Sequence, residues 1–233
     1  VISMIIAIVA FILFLRTEKS EAEPLVTIPH LKRRSTWALL LTTILTMTGI
    51  FAVVNGLAVS LAQNSDFGFG FTANKSALLL LTPYALVGWA VGPFMGRLAP
   101  SLGYNRILRL GLLGSAIGVF IMMQYGLNSF PVLAGMTFLL GITYAGTANI
   151  ILNGLGVVLS PKENPGFLPG MNAAAFHLGA GLSFALLPAV QFLAEDSIVG
   201  YYNGMMLGLM ITIVAFLVSF IIPSPALESD PAA

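Results

Sequence analysis

Gly92-Pro93-Phe94-Met95-Gly96-Arg97-Leu98-Ala99-Pro100-Ser101-Leu102-Gly103-Tyr104-Asn105-Arg106 lies between two long runs without charge. It reads as two glycines, Gly92 and Gly96, closing a membrane helix, then Arg97 at the interface. A tight turn at Gly103 follows and leads to Arg106. Upstream, residues 76–96 contain no Asp, Glu, Lys or Arg, and downstream 110–161 contain none. The same is true of 35–65, 164–194 and 197–227. About 20 apolar residues rising 1.5 Å each cross a hydrocarbon core of about 30 Å. A basic turn between charge-free runs of that length connects two membrane spans.

Composition agrees. Lys and Arg number 10 and Asp and Glu 9, only 8% of 233 residues, whereas 58% are hydrophobic. A soluble domain carries about 25% charged residues, so a soluble enzyme, a nucleic-acid binder and a disordered linker are excluded. Cysteine is absent, which removes disulfides, thiolate metal sites and cysteine nucleophiles. The net charge of +1 points to no partner.

Seven apolar segments are predicted, a partial one over 1–15 and full ones over 37–62, 76–97, 107–126, 130–159, 167–193 and 199–222. None alternates as a barrel strand would, so helices are the only spanning form. The fold expected is therefore an all-α integral membrane protein. A six-helix bundle over 37–222 follows a linker over 16–36 and the end of one further helix over 1–15, and a polar tail over 223–233 closes the chain. The opening stretch starts at Val1, lacks basic residues before it and has no Ala-x-Ala site after it, so it reads as the back of a membrane helix in a longer protein. Alternating sides place Arg16, Lys19, Lys32, Arg33, Arg34, Arg97, Arg106, Arg109 and Lys162 together, against Lys75 alone opposite. By the positive-inside rule the linker and tail are cytoplasmic.

Polar groups inside spans are the candidate pathway residues, since burying them costs free energy unless they are partnered. Gly146, Asn149, Asn153 and Gly156 share one helical face. The two amides either line a pathway or bond to a neighbouring helix, and Tyr144 and Thr147 adjoin them. Asn55-Gly56 marks a turn or a break within a span, read either as a gate or as a kink relieved by packing. Thr82-Pro83-Tyr84 predicts a second kink that frees a carbonyl near residue 79, and Tyr84 either faces a cavity or packs. His177 lies on a face of small residues. It is read as bonded to a neighbouring backbone or, alternatively, as a proton relay or substrate contact. Glycine rows at four-residue spacing (Gly88, Gly92, Gly96; Gly114, Gly118; Gly204, Gly208) mark helix contacts.

The Gly92–Arg106 stretch resembles the loop signature of the major facilitator superfamily, Gly-x-Leu-Ala-Asp-Arg-x-Gly-x-Arg-Lys. Gly96, Leu98, Ala99, Gly103 and Arg106 stand in place, while Pro100 replaces the acid and Ser101 an arginine. Such degeneracy is usual in the second copy of the signature, between helices eight and nine. A second resemblance, to the pattern linking helices ten and eleven of drug:proton antiporters, rests on Ser160–Gly166, Gly170-Met171-Asn172 and Gly179-Ala180-Gly181. The resemblance implies the C-terminal half of such a transporter, with helices seven, eight, ten and eleven flanking the pathway.

Asn55, Tyr84, Tyr144, Asn149, Asn153, Asn172 and His177 are then the pathway candidates. Gly92, Gly96, Arg97, Gly103 and Arg106 form the loop that governs conformation. The resemblance implies alternating access by a secondary transporter, with proton-coupled efflux of a neutral or hydrophobic small molecule as the leading expectation. Uptake of a neutral solute, or a receptor or scaffold of the same fold, is the alternative. No catalytic constellation, cofactor or metal site is expected. The expected partners are the small-molecule substrate, protons, the bilayer and the N-terminal half of the same transporter. The expected location is a bacterial inner membrane. No acid lies in any span, so a coupling carboxylate is expected outside this half.

Overall fold

The structure, a computed structural model, describes residues 28–194 and 197–225, together with Val9, Leu13, Arg16 and Thr17. Most of the helix end expected over 1–15 and of the linker, and the tail from 226, lie outside the described residues. Among those described, six helices are long and apolar enough to cross a membrane. They are α1 (Arg34–Gln63), α2 (Ala73–Leu102), α3 (Tyr104–Gly126), α4 (Phe130–Val158), α5 (Phe167–Phe192) and α6 (Ile198–Ile221). A single helical turn, Ile28–Leu31, precedes α1.

Packing divides the six in an exchanged pattern. α1 packs mainly along α5 and α6, α4 along α2 and α3, and α3 meets α6 to join the two groups. The first helix of each sequential triplet thus rests on the second and third helices of the other triplet. Lipid supplies no hydrophobic drive between helices, so close backbone approach must hold them. A Cβ on Gly49 of α1 would stand 2.9 Å from the Gly208 carbonyl oxygen of α6, and one on Gly208 would stand 2.6 Å from that of Gly49. At the α2–α4 crossing, a Cβ on Gly88 would stand 2.8 Å from Ala145 Cβ, and one on Gly146 3.0 Å from the Gly88 oxygen. Side chains at these positions would wedge the pairs apart.

Four spans contain π-helical stretches, at Val53–Ala58, Ala77–Leu81, Met122–Gly126 and Gly141–Ala148. The first has an identifiable cause. The Ser183 hydroxyl of α5 accepts from the Ala52 amide at 2.8 Å and donates to the Thr48 carbonyl at 2.7 Å. A foreign side chain set into the backbone ladder is a standard source of helix irregularity, and the wide turns begin at the next residue, Val53. The second stretch ends just before Pro83, whose missing amide cannot meet the Leu79 carbonyl. Thr82 donates its hydroxyl to the Ala77 carbonyl at 3.2 Å there.

Three sequence expectations need correction. Gly92 and Gly96 do not close the second full span, because α2 runs on through Pro93 and Pro100 to Leu102. Proline is tolerated in membrane helices where neighbours and local adjustment satisfy the freed backbone groups. The connection expected between the spans over 76–97 and 107–126 shrinks to Gly103, whose φ of +92° is a conformation natural to glycine, and α3 begins at Tyr104. Asn55-Gly56, for its part, interrupts nothing: both lie in the continuous, widened stretch of α1.

Candidate substrate cleft

α1, α4 and α5 bound a cleft of about 350 Å³, within the usual range of about 300–1,000 Å³ for small-molecule sites. α4 contributes Asn149 and Asn153, one turn apart. α5 contributes Phe176 and His177 beside Ala173 and Ala180, and α1 closes the back with Met47 and Phe51. At 1.5 Å per residue, Asn149 and Asn153 lie about 8 Å and 14 Å from the centre of α4, toward its basic end. Met47 and His177 lie within a turn of the centres of their own helices. The cleft therefore reaches from mid-span toward the basic end of the bundle.

The two amides are committed to each other along α4 rather than across helices. Asn153 Nδ2 donates to the Asn149 carbonyl and to Asn149 Oδ1, each at 3.0 Å. That leaves Asn153 Oδ1 as an acceptor and Asn149 Nδ2 as a donor, on two residues that line the cleft. The His177 ring is exposed and makes no hydrogen bond among the described residues, so it has no backbone partner. Phe51 meets Phe184 edge-on at 5.7 Å, and Asn55 Nδ2 donates to the Phe51 carbonyl at 2.9 Å. Asn55 thereby steadies the turn that carries Phe51, without itself lining the cleft.

The other pathway candidates stand elsewhere. Asn172 is 1% exposed and ties three helices together: its Oδ1 accepts from Thr43 Oγ1 at 2.7 Å, and its Nδ2 donates to the Leu152 carbonyl at 3.2 Å. It is a junction between α1, α4 and α5 behind the cleft. Tyr144 is also buried, and its hydroxyl donates to Met47 Sδ at 2.8 Å, holding a cleft residue from below. Tyr84 is half-buried against the core near the α2–α4 crossing. Of the loop residues, Gly92 is buried against Ile150, Gly96 and Arg97 are exposed, and Arg106 lines a pocket beside the Gly103 turn.

Met47, Phe51, Phe176 and Ser183 were not singled out from the sequence. A 3.6-residue period does place Met47 and Phe51 on one face with Asn55. Nothing in the pattern of α5 distinguishes Ser183 from an ordinary helical serine, because its role depends on α1.

The model of the Major Facilitator Superfamily matches residues 1–184. The chain belongs to that superfamily, and its six spans form an all-α membrane bundle. It is also 46% identical over 224 residues to the uridine/deoxyuridine transporter of Lactococcus lactis subsp. cremoris (strain MG1363). That match takes in 94% of this chain and 47% of the relative, so the chain spans about half the length of the curated relative it matches.

Proposed function

We propose that this chain forms the C-terminal half of a secondary transporter for a pyrimidine nucleoside, working by alternating access with an N-terminal half across the cleft. The observation that carries the reading is the hydrogen-bonded Asn149–Asn153 pair, which lines one cleft with Phe51 and Phe176. A uracil ring presents an N3–H donor next to a C4 carbonyl acceptor, which matches Asn153 Oδ1 and Asn149 Nδ2 in turn. Aromatic side chains offer the base a flat apolar surface. The name of the Lactococcus relative agrees with this chemistry. A neutral, hydrogen-bonding solute thus takes precedence over the hydrophobic efflux substrate, and the linker and tail stay on the cytoplasmic side.

The test is uptake of labelled uridine by cells lacking their own nucleoside uptake and expressing the full-length protein, with and without a protonophore. Saturable uptake competed by deoxyuridine is expected, and loss with the protonophore assigns proton coupling. No uridine movement, together with gradient-dependent extrusion of a lipophilic dye, would return the reading to hydrophobic efflux.

A further inference from the structure

We infer that a pocket at the basic end of the bundle binds a phosphate ester bearing free hydroxyl groups, and that its occupant is the headgroup of phosphatidylglycerol. The pocket, about 900 Å³, lies between the end of α2, the start of α3, the end of α4 and the segment after α6. It is separate from the substrate cleft and does not depend on the nucleoside reading. Among the described residues, its charged lining residues are Arg106, Arg109 and Lys162, with no carboxylate.

Two side-chain atoms here are buried without a partner. The Arg109 guanidinium lies 4.1 Å over the Phe220 ring, and its Nε has no acceptor. Asn105 is 6% exposed; its Nδ2 donates to the Ile222 carbonyl at 3.0 Å, while its Oδ1 has no donor. Buried polar groups are paired as a rule, and an unpaired one calls for an explanation. A cation wanting an acceptor and an oxygen wanting a donor share this pocket. A bare anion answers only the first, whereas a phosphodiester with hydroxyls on its other arm answers both. The first amides of α3, at Tyr104 and Asn105, open at the same wall and favour an anion.

The surroundings select a lipid over a soluble phosphate. Leu102, Leu110 and Phe220 are 53%, 67% and 52% exposed beside the pocket, an apolar border for acyl chains. Basic pockets between membrane helices are the usual form of an anionic headgroup site.

The experiment uses delipidated full-length protein and measures retention of phosphatidylglycerol and phosphatidylcholine by native mass spectrometry, with inorganic phosphate as competitor. Phosphatidylglycerol is expected to bind saturably and in preference to phosphatidylcholine. Arg109→Gln should weaken it about tenfold, the size of one charge-assisted hydrogen bond. Arg106→Gln, at an exposed side chain whose loss spares the core, should weaken it in the same direction. Equal retention of both lipids, or unchanged retention in both variants, overturns the proposal. Displacement by equimolar inorganic phosphate overturns the lipid assignment. Binding that appears only after removal of residues 226–233, which carry Glu228 and Asp230, would make the chain's own tail the occupant and overturn it too.

Discussion

Replacing Asn153 by Ala removes the acceptor proposed to meet the uracil N3–H and frees Asn149 Oδ1 from its 3.0 Å bond. Asn153 is exposed at the cleft, so no packed core collapses. A net protein hydrogen bond contributes about 0.5–1.5 kcal/mol, and 1.4 kcal/mol is a factor of ten. Uridine Vmax/KM should therefore fall about two- to tenfold. A fall of that size alone is ambiguous, so the informative comparison pairs the variant with 3-methyluridine, which lacks the N3 hydrogen. Transport by the full-length protein is measured for both nucleosides in the parent and in Asn153→Ala. The cycle isolates the coupling between side chain and hydrogen when each change removes that contact without adding another. A coupling of about 1 kcal/mol is expected, with 3-methyluridine transported poorly by the parent and hardly worse by the variant. Cytidine presents donor and acceptor in reversed order, so it must turn over to use the same pair. If Asn153→Ala depresses uridine and 3-methyluridine by the same factor, the pair does not read the imide and the substrate assignment loses its structural basis.

Other expectations concern the frame around the cleft. Ser183→Ala removes two bonds to α1, each about 0.6 kcal/mol and at most about 1.7 kcal/mol in membrane proteins, so unfolding in mixed micelles should show a loss of about 1–3 kcal/mol; parent stability would mean the hydroxyl does not sustain the widened turns. Gly208→Val places a side chain where even a Cβ stands 2.6 Å from the Gly49 oxygen and 2.8 Å from Val53 Cγ2, and should leave little monodisperse protein on size exclusion. Arg106→Ala should reduce transport more than surface expression, and equal loss of both would leave the side chain only an anchoring role at the interface. His177→Gln should alter the pH dependence of uptake if the ring takes part in proton traffic; an unchanged profile removes it from that role.

What could be read in advance followed from terms local in sequence. Charge-free runs and basic ends are properties of single segments, so the six spans were legible before any contact was known, and Asn149, Asn153 and His177 stood out as polar groups within them. Misreadings arose where a second helix decides. Gly92 and Gly96 look like helix ends because glycine and proline weaken an isolated helix, yet α2 continues because Ile150 packs on Gly92 and lipid punishes any open backbone. Asn55-Gly56 looks like a break, whereas the Ser183 hydroxyl from α5 turns that region into a widened helix. Asn172 looks like its fellow amides, and only its register against Thr43 and Leu152 makes it a junction rather than a lining residue.

The distribution of charge among the described residues bears on the proposed division of work between this chain and an N-terminal half. Among the described residues the acids are Asp66 and Glu163, and both lie in connections between spans. The cleft wall is built from amides, rings and one imidazole, groups that recognise a neutral solute without fixing a counter-ion beside it. A carboxylate next to this pair would compete with the uracil carbonyl for the Asn149 amide and would need a cation of its own. Under the proposed nucleoside reading, the lack of acids in this wall would protect the donor–acceptor order that the base has to match. If the proposed transporter is proton-coupled, its coupling carboxylate is expected outside this wall, where it would leave the Asn149–Asn153 pair undisturbed.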